Sequence, residues 1–137
     1  MKCLSIDADN ISHLHDFIKD MGNSSESFRY YITRNPEEAI QNHIITFILF
    51  EETSVGYGHL DKEDDKIWLG ICVKEKHREK GYGKKIMQEL VTSHFGEIHL
   101  SVDKDNEAAI NLYEFFSFEK IDSNDKLYFM KRNVTSL

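Results

Sequence analysis

Val73-Lys74-Glu75-Lys76-His77-Arg78-Glu79-Lys80-Gly81-Tyr82-Gly83-Lys84-Lys85 joins two segments of different periodicity. Before it, Ile67-Trp68-Leu69-Gly70-Ile71-Cys72-Val73 reads as a buried strand. After it, Tyr82, Ile86, Met87, Leu90 and Val91 recur at helical spacing and predict a helix with one apolar face, ending near His94-Phe95-Gly96. The helix opens at Gly81 and Gly83. Helix starts leave N–H groups unpaired and carry partial positive charge, and glycine lets an anion approach the backbone. Arg78, Lys84 and Lys85 add full positive charges. The stretch reads as an anion site suited to a pyrophosphate. The competing reading, a solvated charged face of Arg78, Lys80, Lys84 and Lys85, leaves the interleaved glycines unexplained.

Two phosphate-loop patterns do not fit. The nucleoside-triphosphate loop needs four residues between its glycines and a hydroxyl after the lysine. The dinucleotide fingerprint needs a third glycine within a parallel βαβ unit.

Outward toward the N-terminus, residues 46–50 and 55–60 read as strands, joined by a turn at 51–54. A polar turn over 61–66 then leads into the strand before the loop, completing an antiparallel meander. If a turn over 62–65 closes that hairpin evenly, Asp61 faces Lys66 and His59 faces Trp68. Tyr57, His59, Trp68, Gly70 and Cys72 then share one sheet face. Asn35-Pro36 predicts a helix start with Asn35 as cap. Ile11, Leu14, Phe17 and Ile18 predict an earlier helix, capped by Asp9 or Asn10 and ended by Gly22 and the serines after it.

Outward toward the C-terminus, Ile98, Leu100 and Val102 alternate as a strand. Asp105 or Asn106 caps a helix containing Ala109, Ile110, Leu112 and Tyr113. Residues 118–121 and 126–130 predict a closing strand pair. The element order is ααβββαβαββ. The fold class is α/β: a single domain over 1–137, with a mixed, mostly antiparallel central sheet flanked by helices.

A chain of 137 residues buries enough surface to fold without disulfides or metal. Seventeen basic and 24 acidic residues give a net charge of −7, which argues against nucleic acid and anionic lipid as partners. No apolar run has membrane-spanning length, and Met1-Lys2-Cys3-Leu4 begins no export signal, so a soluble cytoplasmic protein is expected. Cys3 and Cys72 read as thiols, and no metal spacing appears among the seven histidines.

Arg78-x-x-Gly81-x-Gly83 between a strand and a helix resembles the acetyl-CoA signature of the GCN5-related N-acetyltransferase (GNAT) family. Asn106-Glu107-Ala108-Ala109-Ile110-Asn111-Leu112-Tyr113 resembles that family's second signature. The good match covers residues 68–131. Where the family usually has glycine after the tyrosine helix, this chain has Ser117, a departure in local backbone geometry.

The resemblance implies direct acetyl transfer from acetyl-CoA to an amine. It implies that Ile71, Cys72 and Val73 lie along the pantetheine arm and diverge from the strand over 98–102. It implies that Arg78, Glu79, Lys80, Gly81, Tyr82, Gly83 and Lys84 form the pyrophosphate loop. Asn106 would bond the pantetheine or serve only as a helix cap. Tyr113 would protonate the leaving thiolate or act only as a core aromatic.

For the base, His59 has a suitable intrinsic pKa, though a packed histidine is the simpler reading. Glu51, Glu52, Asp61 and a water relay remain open. The resemblance places Phe28-Arg29-Tyr30-Tyr31 and the segment to Arg34 where the family builds its acceptor site, and Arg29 or Arg34 could pair with an acceptor carboxylate or phosphate. The acidic turn after His59 could attract a cationic acceptor. The expected acceptor is a small primary amine such as a polyamine, amino acid or amino sugar. The alternatives are an acyl-CoA sensor without turnover and a protein N-terminal or lysine acetyltransferase. The protein is expected as a monomer or homodimer, with the strand over 127–130 as a candidate interface.

Overall fold

The computed structural model describes residues 1–22 and 26–134. Seven strands and four helices follow one another as β1 (Lys2–Ser5), α1 (Ser12–Lys19), α2 (Pro36–Ala39), β2 (His43–Phe50), β3 (Ser54–Glu63), β4 (Lys66–Val73), α3 (Tyr82–Val91), β5 (Gly96–Asp103), α4 (Glu107–Phe115), β6 (Glu119–Ser123) and β7 (Leu127–Val134). The strands form one sheet in the order β1-β2-β3-β4-β5-β7-β6. Every neighbouring pair is antiparallel except β4 and β5.

The pleat distributes the core between two faces. Phe47 and Leu49 of β2 point to one side, where Ile86, Met87 and Leu90 of α3 pack, fully buried. Each of these helix side chains contributes about 2 kcal/mol through burial. Ile48 and Tyr57 point to the other side, against Leu14 and Phe17 of α1. Gly58 makes the first contact possible: a Cβ there would lie 2.7 Å from Ile86.

The expected elements all form, with one addition and several shifted ends. β1 precedes the first helix. Its residues are mostly exposed, so they lack the alternation that marks a strand, and pairing with β2 creates it. Asp7 caps a 3-10 turn over Ala8–Asn10 in a reciprocal box with Asn10, and α1 then starts at Ser12 with no side-chain cap. Thus neither Asp9 nor Asn10 caps α1. The helix ends at Lys19; Gly22 follows at φ +61°, while Ser24 and Ser25 lie outside the described residues. Asn35 caps α2 as expected, accepting from the Glu38 N–H at 3.2 Å.

The hairpin between β3 and β4 is tighter than expected. Asp64 and Asp65, at φ +55° and +60°, form a two-residue turn, so β3 runs on through Asp61, Lys62 and Glu63. His59 therefore faces Gly70, and Asp61 faces Trp68. The register differs from the expected one by two residues, which preserves the shared face and adds Asp61 to it.

α3 stops at Val91, well before Gly96, because the Thr92 and Ser93 hydroxyls bond back to carbonyls of Gln88 and Glu89. Ser117 adopts φ +70°, the left-handed geometry expected where the family pattern has glycine. Both edges of β7 are paired, to β5 and β6, so it offers no free edge to a second copy. No described helix is long and apolar enough to cross a membrane.

Candidate active site

β4 and β5 meet in register only at Trp68 and His99. Past that pair they share no register, and Val73 and Val102 both line a cleft of about 1830 Å³. Common small-ligand sites occupy roughly 300–1,000 Å³, so this cleft has room for a long donor and an acceptor together.

The loop after β4 forms one end of the cleft. Lys74 opens it, with its ammonium buried against Asp20 at 2.8 Å and Ser54 at 2.6 Å. The backbone then turns left-handed at Glu79 (φ +64°) and Gly81 (φ +83°). Gly81 is the N-cap position of α3, whose start carries no side-chain cap hydrogen bond. Nothing lies within 4 Å of where a Gly81 Cβ would stand, and Gly83 sits against Leu112 of α4. These uncapped N–H groups on an open, left-handed turn fit a diphosphate. Arg78 Nε reaches the Val73 carbonyl at 3.4 Å, and Lys84 Nζ stands 4.5 Å from the Phe115 ring centre.

Of the expected donor-binding residues, Ile71, Cys72, Val73, Arg78, Glu79, Gly81, Tyr82, Gly83, Lys84 and Asn106 all line the cleft. Lys80 does not; the left-handed turn between Glu79 and Gly81 leaves it on the exposed outside of the loop. Asn106 caps α4, its side chain accepting from the Ala109 N–H at 3.2 Å. Tyr113 is buried at the cleft wall beside Phe118, and desolvation pushes its phenol up, with Cys72 adding to the effect. Cys72 itself packs by Met21, and Cys3 is exposed elsewhere.

The other end of the cleft is aromatic and acidic. His59 is buried, its ring 4.3 Å from that of Tyr30 and 4.5 Å from that of His43. Desolvation holds its pKa well below the ordinary value, so the imidazole is neutral. Tyr57 contacts His59 Nδ1 at 2.7 Å and Tyr31 contacts Tyr57 at 2.5 Å. Every phenol proton finds an acceptor only if Tyr31 donates to Tyr57 and Tyr57 donates to Nδ1. His59 then carries its hydrogen on Nε2.

Both candidate anion-binding arginines are already paired. Arg29 binds Asp103 through two contacts, 2.9 and 3.1 Å, tying the segment before α2 to the end of β5. This bond lowers the Asp103 pKa. Arg34 lies over the Tyr30 ring and pairs with Glu63 at 3.6 Å. Glu51 and Glu52 lie outside the cleft lining, whereas Asp61 lines it. Tyr30, in the segment expected at the acceptor site, lines the cleft, and its hydroxyl donates to Asp61 at 2.8 Å, a contact across 31 positions of chain that spacing could not show.

The model of the acetyltransferase (GNAT) family matches residues 9–118. The chain belongs to that family. GNAT proteins are acyltransferases whose acyl donor is acetyl-CoA, and the match spans both the loop at Gly81 and the helix of Tyr113. No curated protein matches the chain by sequence.

Solved GNAT structures superpose over nearly all of it. yncA from Salmonella typhimurium, solved with its cofactor acetyl-CoA, matches with TM-score 0.74 at 15% identity over 100% of this chain and 95% of that one. Spermidine N-acetyltransferase from Vibrio cholerae, in complex with CoA and spermine, matches with TM-score 0.71 at 16% identity, covering 96% and 94%. The ribosomal-protein-S18-alanine N-acetyltransferase from Escherichia coli matches with TM-score 0.72 at 15% identity, covering 99% and 95%. At these identities the superpositions establish the shared GNAT fold. Their acceptors differ between a polyamine and a protein, so fold alone leaves the acceptor to the site.

Proposed function

We propose that this protein transfers an acetyl group from acetyl-CoA directly to a primary amine of a small molecule. The observation that carries the reading is the convergence, on one cleft, of the uncapped start of α3, the end of β4 beyond its pairing with β5 and the buried Tyr113.

Bound acetyl-CoA supplies a thioester, from which an uncharged amine takes the acetyl group as the thiolate leaves. The main-chain N–H groups opening α3 hold the diphosphate, assisted by the charges of Arg78 and Lys84. The backbone over residues 71–73 orients the pantetheine and polarises the acetyl carbonyl. The side-chain amide of Asn106 faces the same arm while its oxygen caps α4. Tyr113 keeps its proton at neutral pH because it is buried, and delivers it to the departing sulfur. His59, neutral and with Nε2 already carrying a hydrogen, orients the acceptor as a donor, and the amine proton leaves through water.

The Arg29–Asp103 bridge joins two residues that line the cleft from separate segments, which supports a small acceptor over a peptide. The test is CoA release from acetyl-CoA with pooled primary amines, alongside calorimetry of acetyl-CoA uptake. Turnover with at least one small amine is expected. Uptake without turnover would instead identify an acyl-CoA sensor. A folded protein that takes up no acetyl-CoA would remove the proposal.

A further inference from the structure

Asp61 is 3% exposed, yet among the described residues no cation forms an ion pair with it. Its only hydrogen bond there is the one from the Tyr30 hydroxyl to Oδ2. Buried carboxylates are ordinarily paired, because taking a charge out of water without a partner is costly. The neighbours that could neutralise it are engaged elsewhere or uncharged. Arg34 is paired with Glu63. His43 is held neutral by burial, its pKa pushed down to about 4.

The surroundings fix this charge in place. The Thr46 hydroxyl contacts His43 Nδ1 at 2.7 Å, and His43 Nε2 contacts the Tyr30 hydroxyl at 2.8 Å. Since Tyr30 spends its one proton on Asp61, His43 must donate through Nε2 and accept from Thr46. Three side chains thus donate in sequence toward one carboxylate that opens onto the cleft. Trp68, the cross-strand partner of Asp61, lines the same wall, and its indole suits an alkylammonium.

The register also says which ammonium this is. Asp61 lies level with Trp68, three to five residues from the positions 71–73 where the acetyl carbonyl is polarised. At the rise of a strand that is roughly 10 to 17 Å, too far for the carboxylate to touch the reacting nitrogen.

We propose that Asp61 is the counter-ion for a second, non-reacting ammonium of the acceptor, which makes the acceptor a linear polyamine. This assignment rests on the acetyltransfer reading above. An α-amino acid with an uncharged side chain lacks the distant charge, and the carboxylate of lysine, which has one, would find Arg29 and Arg34 already taken, so lysine is expected to be a poor acceptor.

The test compares wild type with Asp61→Asn, which keeps the shape and the hydrogen bond from Tyr30. Spermidine, n-butylamine and lysine serve as acceptors. Wild type is expected to favour spermidine over n-butylamine in kcat/KM, and Asp61→Asn to lose on the order of 100-fold of that ratio. Calorimetry with spermidine and CoA is expected to show a matching loss of affinity in the variant. Removal of an unpaired buried charge is also expected to leave Tm unchanged or higher, whereas loss of a structural carboxylate would lower it. A ratio preserved in Asp61→Asn, or a wild type that binds spermidine no better than n-butylamine, overturns the proposal. If Asp61→Asn fails to fold, Asp61→Thr replaces it; this change removes the charge while keeping an acceptor for the Tyr30 hydroxyl, and an unaltered ratio there likewise overturns the proposal. Acetyl-CoA uptake without any turnover would refute acetyltransfer while leaving the spermidine titration to judge Asp61.

Discussion

His59 lies across Gly70, its cross-strand partner, so closely that a Cβ on Gly70 would stand 2.5 Å from the ring. The imidazole occupies the space a side chain would fill, and the Tyr57 bond holds it there. Gly70→Ala therefore forces either the ring or the strand to move. The cost is about 1–3 kcal/mol, as for other overpacked buried sites. Because the ring lines the cleft, KM for the acceptor is expected to rise several-fold in the same variant. Chemical denaturation and steady-state kinetics check the two effects. A fully stable, fully active Gly70→Ala would show that His59 is free to leave its place.

Tyr113→Phe removes the one phenolic proton that the helix α4 presents at the cleft wall without removing the ring. Acid assistance to a leaving group is typically worth at least 100-fold. kcat is expected to fall by on the order of 100-fold, with acetyl-CoA affinity nearly intact. Turnover measured beside calorimetry separates the two. Equal kcat in both proteins takes Tyr113 out of the chemistry.

Most of the fold was legible because β2 is a continuous apolar run buried on both faces, β5 alternates over Ile98, Leu100 and Val102, and α3 repeats its apolar residues at helical spacing. Local rules carried Asn35 and Asn106, since caps depend on neighbours a few positions away, while Ser117 was marked only by the family's glycine at its place. β1 was not legible: four mostly exposed residues become a strand only by pairing with β2. The hairpin was misjudged because Lys62 and Glu63 look like loop, while two aspartates turn tightly enough for both to remain in β3. The donor end of the cleft could be read from one short loop and one helix. Of the acceptor end, the segment from Phe28 to Arg34 and the Asp61 carboxylate were legible as candidates, but the contacts that join Tyr30, His43 and Asp61 were not, because they come from three separate segments. Nothing in the charged run after Val73 sets Lys74 apart from its neighbours, yet it is 3% exposed.

His43 gives the stability a pH dependence of definite sign. Burial lowers its pKa from the ordinary 6.5 to about 4, against the pull of Asp61 and with the help of Arg34; Tyr30, Thr46 and His59 are its other close neighbours. Between those values the unfolded chain binds a proton that the folded chain does not. Stability must therefore fall as pH drops from 6.5 toward 4, by up to about 1 kcal/mol per unit from this residue. His59, shifted in the same direction, adds to the slope. Urea denaturation at pH 7, 6 and 5 is expected to show the decline, and His43→Asn to flatten it. A wild type equally stable at all three values would contradict the buried, neutral state of both rings.

Lys74 and Asp20 make a different acid-sensitive contact, at the root of the diphosphate loop. The ammonium is buried, donates to Asp20 and Ser54, and lies 5.1 Å from the Phe17 ring centre, so it locks the end of β4 to the end of α1. The bond from Lys74 holds the Asp20 pKa below the ordinary 3.8. Its contribution is thus complete above that value and is lost as pH falls through the lowered one. The two partners are unequal. Asp20→Ala leaves a buried ammonium with one hydroxyl, whereas Lys74→Met leaves an exposed carboxylate in water and fills the site with apolar atoms. Asp20→Ala is therefore expected to lower Tm more than Lys74→Met, and to weaken acetyl-CoA binding through the loosened loop. The reverse order in a melting series would mean that packing of the lysine stem, and not its charge, anchors the loop.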